Sequence, residues 1–230
     1  IKILDKDGIE GWGEVWCNFP LTGAEHRAKL IESVFFPLLI NYEINSAKQT
    51  YDYLIQKTNI LSIQSGEPGP IAQCIAGIDI AINDLIAKKE SISLWKKFGG
   101  KNKILPIYAS GINPTDPVVT VEKALKEKYK SFKLKIGFGL KQDLENIKGI
   151  RNTIPEDYFL MVDANQAWNL NEAIENTKHF ENFNLNWLEE PIPADSSLED
   201  WVQLSKNIPI PLAAGENFCS HIQFSLHLKN

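Results

Sequence analysis

Three things are scarce in this 230-residue sequence: cysteine, methionine and uninterrupted apolar stretches. The three cysteines, Cys17, Cys74 and Cys219, are odd in number and far apart. That spacing makes neither a disulfide framework nor a thiolate metal site, and it fits a reducing compartment, so a cytoplasmic location is expected. Each cysteine is expected to act as a small buried apolar residue. The longest apolar run, "VFFPLLI", contains a proline and is far too short to cross a bilayer, so no membrane partner is expected. Excess positive charge is also missing: 24 lysines and arginines face 29 acids, a net charge of −5. A nucleic-acid-binding surface would need a basic face, so that class is excluded. The only methionine is Met161, the sequence opens on Ile1, and residues 1–20 have no signal-peptide character. The native start is therefore expected to lie elsewhere.

What remains is an ordinary globular composition, 43% hydrophobic and 23% charged, long enough to bury a substantial core. Two organisations follow one another. The opening "IKILDKDGIEGWGEVW" reads as a β-hairpin turning at Asp7-Gly8. Residues 24–40, 45–57 and 68–89 then carry apolar residues at helical spacing, with a short helical segment at 92–98 before Gly99-Gly100. Residues 1–103 thus read as an α+β domain.

From residue 104 to 230 the pattern changes. Five β-rich runs recur: "ILPIYASG" (104–111), "FKLKIG" (132–137), "YFLMVDAN" (158–165), "NWLEEP" (186–191) and "IPLAAGEN" (210–217). Their centres, Ile107, Leu134, Val162, Leu188 and Ala213, are 27, 28, 26 and 25 residues apart, and helical signals fill the intervals. Strand and helix alternating at this period predict an α/β fold with a parallel sheet, and a (β/α) barrel above an open doubly wound sheet. No glycine-rich phosphate fingerprint follows any of the strands.

The second run poses a question. On a strand, Lys133 and Lys135 share one face, about 7 Å apart, while Phe132, Leu134 and Ile136 share the other. If both faces are covered, the two ammonium groups need compensation. Active sites of α/β folds form at the C-terminal strand ends. Those ends here carry Asp163 and Asn165, then Glu189 and Glu190, then Glu216 and Asn217. Asp163 to Glu189 is 26 residues and Glu189 to Glu216 is 27, one repeat each, so three carboxylates converge on one rim. Converging carboxylates repel unless a cation lies between them, and hard oxygen donors suit Mg²⁺. Crowded beside a dication, one lysine would have a lowered pKa and could remove a proton α to a carboxylate.

The run "FKLKIG … MVDANQAW … WLEEP … AAGEN" resembles the enolase superfamily, in particular its mandelate racemase / muconate lactonizing group. "GIEGWGE" resembles the hairpin of that family's capping domain, and "IAGIDIAINDLIAKKESISLWKKFGG" its long helix leading to a Gly-Gly. The resemblance implies an enolase-type (β/α) barrel with an N-terminal α+β capping domain. It makes Asp163, Glu189 and Glu216 the Mg²⁺ ligands and Lys135 the acid/base catalyst. Lys133 would lower the pKa of Lys135 and contact the substrate carboxylate, and Asn165 would line the substrate pocket. Glutamate in "GEN", where the lactonizing branch usually has aspartate, points to the racemase and acid-sugar dehydratase branch. The implied substrate is a small carboxylic acid, and relatives are commonly homo-oligomers.

The family pattern continues past this sequence at both ends. Its first strand and covering loop would precede Ile1, and three further strands, with a histidine–aspartate dyad, would follow Asn230. Five units leave roughly 75 residues wanting for an eightfold barrel, so an internal portion of a larger enzyme is expected. His26, His179, His221 and His227 match no motif position and are expected to be surface or helix residues. Three functions stay open: dehydration or racemisation of a hydroxy or sugar acid; cycloisomerisation or amino-acid and dipeptide epimerisation on the same scaffold; and a truncated, non-catalytic metal-binding chain.

Overall fold

The structure, a computed structural model, describes residues 1–101 and 104–229. Its contacts divide the chain into two compact units, Ile1–Ile104 and Leu105–Asn230.

The first unit opens with an antiparallel hairpin, β1 (Lys2–Leu4) and β2 (Glu10–Trp12). The turn is fastened by the Asp5 carboxylate, which accepts the N–H groups of Asp7 and Ile9 at 2.9 Å, with Gly8 at φ +80°. Helix α1 (Gly23–Leu30) runs through a π-helical turn (Ile31–Phe35) into α2 (Phe36–Leu39), where one continuous helix was expected. The cause is Pro37, which has no N–H to give the α-helical ladder, so the preceding turn widens and Phe36 bonds back to Ile31. Helix α3 (Ala47–Ser65) begins at Ser46, whose side chain accepts the Gln49 N–H, and ends at left-handed Gly66. It outruns the expected end by two turns, on residues such as Ile60 and Ile63 that stay exposed.

Helix α4 (Pro68–Lys89) is the spine of this unit, followed by the single turn α5 (Leu94–Lys97). By length and composition α4 would pass as a membrane span, with mean hydropathy 1.4. Here Ile71, Cys74, Ile75, Ile78 and Ile82 pack with Phe35 and Leu54 as a core. The hairpin lies directly on α4: a Cβ at Gly11 would collide with the Ala81 carbonyl, and one at Gly13 with that of Gly77. Glycine is thus required at both positions for the backbones to approach.

The second unit holds a parallel five-stranded sheet in sequence order: β3 (Ala109–Ile112), β4 (Ser131–Lys135), β5 (Phe159–Asp163), β6 (Leu188–Glu189) and β7 (Leu212–Ala213). Between them run α6 (Pro117–Lys126), α7 (Leu140–Thr153), α8 (Leu170–Lys178) and α9 (Leu198–Asn207), and α10 (His221–Lys229) follows. The apolar face of β4, with Phe132, Leu134 and Ile136, is sealed in a core with Ile147, Ile150, Val162 and Leu188. Each such side chain contributes about 1.5–3 kcal/mol by leaving water.

The first strand is displaced from its expected position. Ile107, taken as its centre, is 66% exposed and lies before the strand, which pairs through Ala109 with Phe132 and through Ile112 with Leu134. Proline at 106 supplies no ladder N–H, so pairing starts later. The cysteines are free; Cys74 is buried and Cys17 half-buried, but Cys219 is exposed, against expectation, beyond the β7 exit.

Candidate active site

Parallel register builds the site. Lys135 stands beside Asp163, and Asp163 beside Glu189, each at the last residue of its strand. Because β4 alternates, Lys133 and Lys135 leave its apolar face and turn toward these acids. The Lys133 Nζ donates to Glu189 Oε2 at 2.8 Å and lies 3.2 Å from Asp163 Oδ2. The Lys135 Nζ donates to Asp163 Oδ2 at 2.7 Å and to Asn165 Oδ1 at 2.6 Å. Both sheet faces are therefore occupied, and carboxylates on the neighbouring strands compensate the lysines.

Burial is steep across this cluster. Asp163 is fully buried, the Lys133 side chain is 8% exposed and that of Lys135 25%. Burial pulls the Lys133 pKa down, yet the Glu189 hydrogen bond and the charges of Asp163 and Glu189 outweigh it and hold the group above the ordinary lysine value. The upward direction at Lys133 follows from the two carboxylates within reach of its Nζ.

The Asp163 carboxylate also accepts the Asn165 N–H through Oδ1 at 2.9 Å. Asn165 and Gln166 both adopt left-handed backbone, φ +44° and +66°, which turns the chain at once at the strand end. Glu216, on the exit of β7, is exposed, and it completes a group with Asp163 and Glu189 whose ligand atoms lie within 4.8 Å of one another. One carboxylate from each of three successive strand exits is a hard-oxygen donor set that fits Mg²⁺ better than a soft metal.

Sequence reading missed several contributors. Trp187 donates its indole N–H to Glu189 Oε2 at 3.3 Å, and its ring meets Tyr108 edge-on at 5.6 Å. The Lys133 Nζ sits 5.6 Å from the centre of the Tyr108 ring. Trp187 lies just before β6, two residues ahead of Glu189 in extended chain, and that spacing could have found it. Tyr108 precedes its strand, and no periodicity marks it. Asp143, on α7, is buried and accepts the N–H groups of Gly137 and Phe138 at 3.0 and 3.3 Å, fixing the turn after Lys135. Burial raises its pKa, against the pull of those two bonds. Glu190, grouped with the rim acids by sequence, is 1% exposed and turned away on a left-handed residue, φ +39°.

The histidines do not enter the site. His26 pairs with Glu67 at 3.0 Å, His179 caps α8, and His221 and His227 lie on α10.

Comparison with known proteins converges on one family. Residues 118–230 match the model for the enolase C-terminal domain-like family, and residues 1–99 that for the mandelate racemase / muconate lactonizing enzyme N-terminal domain. The 3,6-anhydro-alpha-L-galactonate cycloisomerase of Streptomyces coelicolor is 30% identical over 232 residues, covering 99% of this chain and 62% of the relative. Other curated relatives are dehydratases, racemases and epimerases. A crystal structure of a mandelate racemase/muconate lactonizing enzyme from Bordetella bronchiseptica RB50 superposes with TM-score 0.96 at 43% identity, covering 99% of this chain and 63% of that one. The L-talarate dehydratase of Polaromonas sp. JS666, solved with Mg and L-glucarate, superposes with TM-score 0.83 at 25% identity, covering 99% and 63%. This chain thus spans about three-fifths of the relatives it matches.

Proposed function

Since this chain belongs to the mandelate racemase / muconate lactonizing enzyme family of the enolase superfamily, we propose that it carries the proton-abstracting half of a Mg²⁺-dependent site for a hydroxy or sugar acid. The observation that supports this most is the pair of lysines on β4 directed at Asp163 and Glu189, with Glu216 delivered by the next strand.

Asp163, Glu189 and Glu216 would hold the ion. Bound there, Mg²⁺ supplies positive charge that offsets the negative charge growing on a substrate carboxylate when its α-proton leaves. Lys135 is the base. A neutral amine has two N–H groups and one lone pair. Its two N–H groups are committed to Asp163 and Asn165, which leaves the lone pair free to take the proton from Cα. Asn165 therefore orients the base as well as lining the pocket. Lys133, pinned between Glu189 and Asp163, offers its remaining charge to the substrate carboxylate and to the enediolate that forms.

From the enediolate, loss of a β-hydroxyl as water gives dehydration, and return of the proton to the opposite face gives racemisation. Dehydration is the reading put forward, supported by the dehydratases among the relatives. Cycloisomerisation is the second reading, supported by the 30% identity to a cycloisomerase. The deciding experiment follows loss of the α-¹H by NMR in D₂O across a panel of sugar and hydroxy acids. Exchange should require Mg²⁺ and should fall by roughly 10²–10⁴-fold in Lys135→Ala. Undiminished exchange in that variant would remove Lys135 from its role.

A further inference from the structure

Glu190 is a buried carboxylate beside the site that this mechanism does not use. It is 1% exposed, and every oxygen it owns is taken. Its Oε1 accepts the N–H groups of Gly215 and Asn217, both at 3.3 Å, and its Oε2 accepts the Asn217 side-chain amide at 2.8 Å. Those two backbone amides flank Glu216 on either side. The main chain of Glu190 extends the same grip: its N–H donates to Ala213 O at 2.9 Å, and its carbonyl accepts the Gln166 N–H at 2.6 Å. One residue thus joins the β5 exit, which follows Asp163 and Asn165, to the β7 exit, which carries Glu216. The left-handed backbone at Glu190 is the strain this requires. Gly215 adds to the constraint, since at φ +130° a Cβ there would come within 2.8 Å of the Phe224 ring.

Glu216 itself is exposed and makes no ion pair among the described residues, so its own side chain does little to fix it. Its place must come from the backbone on either side. We propose that Glu190 is a positioning residue for Glu216: it holds the two amides around that residue so that the Glu216 carboxylate stands within reach of Asp163 and Glu189. The proposal rests on the reading of those three acids as a Mg²⁺ site.

The test uses the full chain and reads two signals, Mg²⁺ affinity by calorimetry and amide hydrogen exchange by NMR. In Glu190→Ala, Mg²⁺ should bind about 10–100-fold more weakly, the effect typical of losing a residue that orients a ligand. Exchange at Gly215 and Asn217 should quicken while the amides of β4 and β5 stay protected. Glu190→Gln keeps an acceptor oxygen for both backbone amides and should bind within about threefold of wild type. If Glu190→Ala does not fold, Asn217→Ala decides, with a two- to threefold weaker Mg²⁺ affinity and faster Gly215 exchange expected. A folded Glu190→Ala, or in its place Asn217→Ala, with wild-type affinity and exchange overturns the proposal alone. A wild-type chain that takes up no Mg²⁺ overturns the metal reading as well, on a separate signal.

Discussion

Two lysines of this chain each sit between two carboxylates, one in each unit. In the first unit Lys89 Nζ lies 2.7 Å from Asp5 and 3.5 Å from Asp7; in the second Lys133 Nζ lies 2.8 Å from Glu189 and 3.2 Å from Asp163. The distances barely differ, but the lysine side chains are 43% and 8% exposed. Around Lys89, water screens the charges, and the pair serves to hold the hairpin turn to α4. Around Lys133, burial has taken water from the ammonium group, and the two carboxylates supply the compensation that water gives Lys89. A buried ion-pair cluster is weak evidence for stability by itself, which is why the function proposed above gives this one a role in chemistry. Exposure is what separates these two ion-pair clusters of similar geometry.

The largest expected effect tests that contrast directly. Lys133→Ala leaves Asp163 and Glu189 short of a cation in a dry site and should lower the folding free energy by about 3 kcal/mol, read from the urea midpoint. Lys89→Ala should leave the midpoint close to wild type. Equal losses in the two variants would erase the distinction.

Next in size is the response to metal. Mg²⁺ at roughly 100 times its Kd should stabilise the chain by about 2.7 kcal/mol, and EDTA should reverse it in thermal melts. Asp163→Asn should lose this gain. A full gain in Asp163→Asn would place the ion elsewhere.

A smaller effect lies in acid. The Lys89 hydrogen bond, with the backbone N–H of Ile9, holds the Asp5 pKa below its ordinary 3.8. A carboxylate depressed in the folded state lends stability above its unfolded pKa and loses it as pH falls through the folded value. Hairpin amide protection should therefore drop as the pH is lowered past 3.8, and Asp5→Asn should flatten that acid arm in hydrogen-exchange measurements. Smallest of all, raising NaCl from 0.1 to 1 M shortens the screening length from about 10 to about 3 Å. That should slightly quicken exchange at the hairpin turn and leave the amides around Lys133 unchanged.

How much of this was legible in sequence follows from what each feature depends on. The period near 26 residues and the alternation in "FKLKIG" are local patterns, and both led to real strands, with Lys133 and Lys135 turned toward Asp163 and Glu189 as expected. The exact seat of β3 was not legible, because pairing with Phe132 and Leu134 sets it rather than the apolar run 104–108. The two glutamates of "EEP" look alike as letters; what separates them is a left-handed backbone at the second and a loop 25 residues on that receives it. Tyr108 was invisible for the same reason, since its contacts exist only once Lys133 and Trp187 arrive from other repeats of the chain.

The hairpin on α4 carries a consequence for how this chain can vary. Gly11 and Gly13 meet the helix at Ala81 and Gly77 through bare main chain, so the helix is recognised by the absence of side chains. The outward side chains of Lys2, Leu4 and Trp12 are exposed, and Trp12 reaches the helix through its main chain, whose N–H donates to the Asp84 carboxylate at 2.9 Å. Mutation can therefore rewrite the outward side chains of the hairpin, while the two glycine positions that carry no side chain are held fixed.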